Sequence, residues 1–195
     1  MRKSEVTRKT NETNITLSLS IDGTGQAEIN TGSGFFDHML TLFTRYSRFD
    51  LSVSCIGDTA VDYHHSIEDI GIALGIAFKD AVGDKMGISR FSDVMLPMDE
   101  SLILCAVDIS GRAYCHFDLP VSSEKIGEYD TELTEEFFSA FLNNAGVTLH
   151  IKKLHGTNSH HITEAAFKAF GMVMRKACKI DNDFSREIPS TKGIL

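Results

Sequence analysis

The stretch Asp62-Tyr63-His64-His65-Ser66-Ile67-Glu68-Asp69 returns in outline as Asn158-Ser159-His160-His161-Ile162-Thr163-Glu164-Ala165, so a His-His-x-x-Glu motif occurs twice in the chain. Four of the eight histidines stand in these pairs. On a helix the glutamate falls four residues after the first His and three after the second, so it shares a face with either imidazole. Adjacent histidines point about 100° apart around the axis. One such helix therefore offers an imidazole to each of two neighbouring metal ions, or one to a metal and one to a substrate. A single pair of this kind is an ordinary solvated surface feature. Two copies at matched points of a repeat form a ligand set, whose confirmation is its structural context.

The repeat extends outward from the motif. Arg2-Lys3-Ser4-Glu5-Val6 matches Arg90-Phe91-Ser92-Asp93-Val94 at an offset of 88, which also pairs Glu12 with Glu100 and Gly23 with Gly111. After an extra polar segment around Ser122 to Asp130, His38 aligns with Glu136, Leu51 with Leu149, His64 with His160 and Gly75 with Gly171. Each half reads in the same order. Ile15, Leu17, Leu19 and Ile21 alternate with polar residues, Asp22-Gly23 supplies a turn, and Ala27 and Ile29 continue the period, which predicts a hairpin. Ile103 to Ile109, Ser110-Gly111 and Ala113 to Leu119 repeat that pattern. Apolar residues then recur at three and four, predicting helices over Phe35 to Tyr46 and Leu133 to Ala145. Short strands follow at Leu51 to Cys55 and Val147 to Ile151.

The helix carrying the His pair closes each half, His64 to Ala81 and His160 to Cys178, with Asp62 and Asn158 as N-cap candidates. Gly75 and Gly171 fall mid-helix at matched positions, where only a close helix–helix approach justifies their cost relative to alanine. The chain thus reads as an α+β arrangement of two fused halves, neither complete alone.

At 195 residues the chain suits one domain or two small fused halves, and its net charge of −8 with a pI near 5.4 argues against nucleic-acid binding. Cys55, Cys105, Cys115 and Cys178 are widely spaced in apolar surroundings and read as reduced core residues. No apolar run is long enough to span a bilayer and the first residues have no signal-peptide pattern, so we expect no membrane partner and a cytoplasmic location.

The repeat also pairs His38 with Glu136, both in the early turns of the first helix of their half. The metal-ligand inventory becomes His38, His64, His65 and Glu68 with Glu136, His160, His161 and Glu164. Five or six donors around each of two ions is the demand of an octahedral Mn(II)-like or Fe(II)-like centre, whereas structural zinc wants four.

Over nearly its whole length the chain resembles the imidazoleglycerol-phosphate dehydratase family of histidine biosynthesis. The resemblance rests on Arg8-Lys9-Thr10-Asn11-Glu12-Thr13, Gly34-Phe35-Phe36-Asp37-His38-Met39-Leu40, both His pairs, Pro97-Met98-Asp99-Glu100, Thr148-Leu149-His150-Ile151 and Pro189-Ser190-Thr191-Lys192-Gly193. It implies β-β-β-α-β-α half-units whose helices pack between two mixed four-stranded sheets. The whole chain, 1–195, is then one dehydratase domain of two repeats, about 1–88 and 89–180, with a C-terminal tail, 181–195. It further implies a homo-oligomer of twenty-four copies, two Mn(II) ions per active site, sites built where subunits meet, and dehydration of imidazole glycerol phosphate to imidazole acetol phosphate. In this chain Glu136 stands where many family members have His. With no room left for a second catalytic unit, a monofunctional lyase is expected.

The proton to be lost has no adjacent carbonyl, so the imidazole ring must help. The resemblance implies Mn(II) on the ring nitrogens, an imidazolate that expels hydroxide through a diazafulvene-type intermediate, and a carboxylate base. Glu12 is the candidate base and substrate contact, while Glu100 reads as structural. Arg90, Arg112, Ser190 and Lys192 match substrate-binding family positions, and guanidinium forks suit phosphate. Taken without the family, the arginines are surface residues and the tail a frayed end that assembly or substrate must order. His116 and His150 read as structural and His155 as solvated. From the paired motifs alone, a dinuclear hydrolase or a non-catalytic metal store remains open.

Overall fold

Each half opens with an antiparallel pair closed by a short turn. In the computed structural model, which describes residues 1–195, β1 (Lys3–Lys9) pairs with β2 (Thr13–Ser20), and β5 (Phe91–Met98) pairs with β6 (Ser101–Asp108). Alternation decides which side is buried. Thr13, Ile15, Leu17 and Leu19 on β2, and Ser101, Ile103, Cys105 and Val107 on β6, face inward.

The expected hairpins through Asp22-Gly23 and Ser110-Gly111 do not form. β3 (Ala27–Asn30) instead runs parallel to β4 (Asp50–Gly57), and β7 (Tyr114–Asp118) runs parallel to β10 (Thr148–His155). The free edges of β2 and β6 are taken by β4 and β10, giving sheet orders β1-β2-β4-β3 and β5-β6-β10-β7. In the first half the cause is Asp50, whose Oδ1 accepts the backbone N–H groups of Thr24, Gly25 and Gln26 at 2.8–2.9 Å. That clamp ties the turn to the start of β4 and sends the chain past it to β4's far edge. Burial raises the Asp50 carboxyl pKa, but the three amides outweigh it and hold it below the ordinary value.

The helices fill the space between the sheets. α1 (Gly34–Ser47) packs on α4 (Ser159–Ala177), and α2 (His64–Val82) on α3 (Leu133–Ala145), so each pair joins one helix from each half. Phenylalanines lock the layer: Phe36 meets Phe137 and Phe167 at ring-centroid distances of 5.2 and 6.3 Å, and Phe170 contacts Phe43, Phe138 and Phe141 at 5.2–5.4 Å. Burying each such ring is worth about 1.5–3 kcal/mol. One continuous cluster of 47 buried apolar residues runs through both halves, so neither half has a core of its own.

The mid-helix glycines set the separation of both pairs. A Cβ on Gly171 would meet Phe43 O at 2.7 Å, Ser47 N at 3.0 Å and Tyr46 Cβ at 3.2 Å. A Cβ on Gly75 would meet Phe141 O at 2.5 Å, Asn144 Cβ at 2.8 Å and Ala145 N at 3.1 Å. These contacts are the same three positions shifted by 98 residues, so the two helix pairs are packed in one register.

The polar insertion forms a small hairpin, β8 (Lys125–Ile126) and β9 (Tyr129–Asp130), whose Tyr129 ring is buried against Phe35 and Phe36. The tail does not fray from the body. Asp181 N–H donates to Gly87 O, Gly87 N–H donates to Glu187 O, and the Arg90 guanidinium donates to Pro189 O, each at 2.8 Å. All four cysteines are free thiols, and only Cys115 is not fully buried. Burial pushes the Cys115 thiol up to about 11 and Cys178 up to about 12. No helix is long and apolar enough to cross a membrane.

Candidate active site

The His pairs lie where their helices begin. Asn158 caps α4, its Oδ1 accepting from His160 N and His161 N at 2.9 and 3.2 Å. In the first half Asp62 does the same for His64 N at 2.7 Å, although the residue flanking α2 is Tyr63. The caps fix the backbone of each pair, and the helix turn then aims its two rings apart, at interplanar angles of 83° and 82°.

The first ring of the second pair finds partners on α1. His160 Nε2 lies 3.0 Å and His38 Nε2 3.4 Å from the same oxygen, Glu164 Oε2, and one ligand atom from each of the three residues falls within 4.8 Å of the others. Two imidazoles and a carboxylate gathered this closely could hold a divalent metal ion. The other Glu164 oxygen holds Lys168 Nζ at 2.6 Å. Burial pushes the Glu164 carboxyl pKa up, but Lys168, His160 and His38 together hold it below the usual value. Lys168 escaped the sequence reading, yet it stands four residues after Glu164, the spacing at which a lysine pairs with a glutamate on a helix.

The repeat-related trio is His64 and Glu68 on α2 with Glu136 on α3. Gly71, three residues after Glu68, packs against the backbone of Phe137, next to Glu136, but these three side chains are not gathered as the first trio is, and neither glutamate makes an ion pair. Two carboxylates repel where two imidazoles and one carboxylate attract.

The second ring of each pair is held at Nδ1 by a carboxylate. Asp58 reaches His65 Nδ1 at 3.0 Å and Glu100 reaches His161 Nδ1 at 2.7 Å. These bonds are the main cause of raised pKa values for both histidines. Glu100 is fully engaged: its Oε1 also accepts from Asn158 N, Ser101 Oγ and Thr157 N at 2.9, 3.0 and 3.3 Å. The hydrogen bond from His161 and then that from Asn158 N hold its carboxyl far below the usual range. Glu12, on the turn between β1 and β2, is exposed and makes no side-chain hydrogen bond; its Oε1 stands 3.8 Å from His65 Nε2. Sequence reasoning missed Asp58, whose only signal is a carboxylate on the loop seven residues ahead of His65.

Arg90, Arg112, Ser190 and Lys192 come together around a cleft of about 540 Å³. Arg90 grips Asp108 through two nitrogens at 2.7 and 3.2 Å and holds the tail at Pro189, while Arg112 makes no ion pair. This cleft lies at the far end of α4 from the metal-type trio: Arg90 N–H donates to Ala177 O, the last residue of a 19-residue helix that starts beside His160. Such a helix is about 28 Å long.

Two of the remaining histidines lie apart from these groups. His116 and His150 are exposed neighbours on the outer face of the second sheet, with ring centroids 5.6 Å apart. His155 is exposed too, but its Nδ1 is bonded to Glu100 O at 2.8 Å rather than merely solvated.

The sequence and the fold match known proteins. A family model described as imidazoleglycerol-phosphate dehydratase matches residues 31–174. The protein of that name from Caldanaerobacter subterraneus subsp. tengcongensis is 55% identical over 195 residues, 100% of each chain. That from Xanthobacter autotrophicus is 52% identical over 100% of this chain and 99% of its own. The crystal structure of the Staphylococcus aureus dehydratase superposes with a TM-score of 0.84 at 41% identity, covering 92% of this chain and 99% of the other. That from Pyrococcus furiosus, solved in complex with (S)-C348, gives 0.84 at 36% identity over 97% and 100%.

Proposed function

This chain belongs to the imidazoleglycerol-phosphate dehydratase family, a hydro-lyase family of histidine biosynthesis, and we propose that it removes water from imidazole glycerol phosphate at a site holding two Mn(II) ions. The observation that carries the metal reading is the gathering of His38, His160 and Glu164 donors within 4.8 Å. His161, at the same helix start but with its ring turned away from this trio, and His64, His65, Glu68 and Glu136 are the remaining proposed ligands. When bound, the ions would supply Lewis-acid stabilisation of negative charge on the substrate's imidazole ring, without redox change.

The chain's own side chains do the rest. Glu12 takes the carbon-bound proton, because its carboxylate is free and stands beside His65, whereas Glu100 is consumed by four hydrogen bonds. Arg90, Arg112, Ser190 and Lys192 receive the phosphate. A substrate roughly 10 Å long by ordinary bond lengths does not reach from that cleft to the trio at the other end of α4. That span supports a site shared between copies, in the twenty-four-subunit assembly that the family resemblance implies. The four free cysteines fit a cytoplasmic location.

Purified protein supplied with Mn(II) and imidazole glycerol phosphate tests this reading through the absorbance of the alkali-treated product. Turnover abolished by chelator and restored by Mn(II) is expected. A metal-loaded, assembled protein without turnover overturns it.

A further inference from the structure

The duplicated glutamates have unequal surroundings. Glu12 and Glu100 occupy the same turn of their halves, and His65 and His161 the same place on their helices, yet only Glu100 bonds its histidine's Nδ1. In the first half that position is filled from another element, by Asp58 on the loop after β4, whose two oxygens lie 3.0 and 3.2 Å from His65 Nδ1. At the matching distance ahead of the second pair the chain has Leu154, which has no carboxylate to give. Asp58 is tied to Glu12 as well: its backbone N–H donates to Glu12 O at 3.1 Å.

We propose that Asp58 is a positioning residue for the reaction: it takes over at His65 the hydrogen bond that Glu100 makes at His161, and so leaves the Glu12 carboxylate uncommitted for proton transfer. With Nδ1–H donated to Asp58, the Nε2 lone pair of His65 is directed outward, the arrangement in which an outer carboxylate fixes the tautomer of a ligating histidine. With its backbone held by the same residue, Glu12 stands at the open side of that ring. The second half commits Glu100 to the clamp, and the carboxylate 3.8 Å from His161 Nε2 there is the shorter Asp99. This inference rests on the dehydratase reading with Glu12 as base.

The test compares Asp58→Ala and Asp58→Asn in the full-length protein. Loss of such an outer hydrogen bond costs about 10–100-fold in activity or metal affinity. For Asp58→Ala we expect kcat to fall by that factor with KM for imidazole glycerol phosphate nearly unchanged. Mn(II) affinity in calorimetry without substrate falls too, and the crystal structure has the Glu12 carboxylate drawn onto the His65 ring. Asp58→Asn, whose amide oxygen still accepts from Nδ1–H, recovers most of the loss. A folded Asp58→Ala with wild-type kcat and Mn(II) affinity overturns the assignment, as does an Asn variant as impaired as Ala. Absence of turnover in the wild type sinks the dehydratase reading instead, and the Mn(II) titration and the Glu12 position still judge the role of Asp58.

Discussion

Replacing Gly75 by alanine probes the contact that holds the helix layer together. The added Cβ would lie 2.5 Å from Phe141 O and 2.8 Å from Asn144 Cβ, where ordinary contact begins at 3.4 Å. The carbonyl belongs to the backbone of α3 and cannot rotate aside, so the two helices must separate by several tenths of an ångström. Overpacking of this kind costs about 1–3 kcal/mol, and the upper half of that range applies where backbone must move. Alanine's intrinsic helix preference over glycine returns about 1 kcal/mol, leaving a net loss of about 1–2 kcal/mol. For a chain of this length each kcal/mol is worth about 2–4 °C, so the melting temperature should fall by about 2–8 °C. Thermal unfolding of the metal-free protein by circular dichroism measures this, at fixed protein concentration because assembly shifts the midpoint. Gly34→Ala is the control, since a Cβ there meets nothing within 4 Å. A Gly75→Ala protein that melts at or above the wild-type temperature would refute the packing argument.

Three further outcomes follow from the same geometry. Glu164→Gln removes the one carboxylate of the gathered trio, so Mn(II) affinity measured by calorimetry should drop by at least the roughly 10–100-fold that loss of a supporting group alone costs a metal site; an unchanged isotherm would remove Glu164 from the ligand set. Arg112→Ala takes away a cation of the tail cleft that makes no ion pair of its own, so KM for the phosphorylated substrate should rise by about 10–100-fold, the worth of one charge-assisted bond, with unfolding unaffected. Asp50 has a depressed folded-state pKa, so its stabilisation is present above the unfolded carboxylate value of about 4 and is lost as pH falls through the folded value. Urea unfolding between pH 6 and 3 should therefore show a flatter acid limb for Asp50→Asn, and parallel limbs would contradict the clamp.

Element types and order were legible because the alternation of Ile15, Leu17 and Leu19 and the helical spacing of the apolar residues report local burial. Strand neighbours were not. Asp22-Gly23 carries the local chemistry of a hairpin turn, and the tertiary bond from Asp50, more than two dozen residues on, overrides it. The paired histidines were legible for the opposite reason: a doubled His-His-x-x-Glu motif stands out in the sequence itself. Their supporting carboxylates were not, since Glu100 reaches His161 across 61 residues of chain and no periodicity connects them.

The duplication explains this division. Positions that pack recur in both halves, as Gly75 and Gly171 do down to the same three neighbours, because the same interhelical distance must be reached twice. Some positions around the recurring His pairs diverge: His38 against Glu136, Lys168 against Ile72, Asp58 against Leu154. Two identical half-sites would place the same base and the same charge on both sides of an unsymmetrical substrate, which needs a proton removed at one carbon and hydroxide expelled at its neighbour. The copies agree in helix packing and in the His-His-x-x-Glu motif, and the surroundings of that motif are where they differ. Glu12, free where Glu100 is bound, is the clearest of these disagreements.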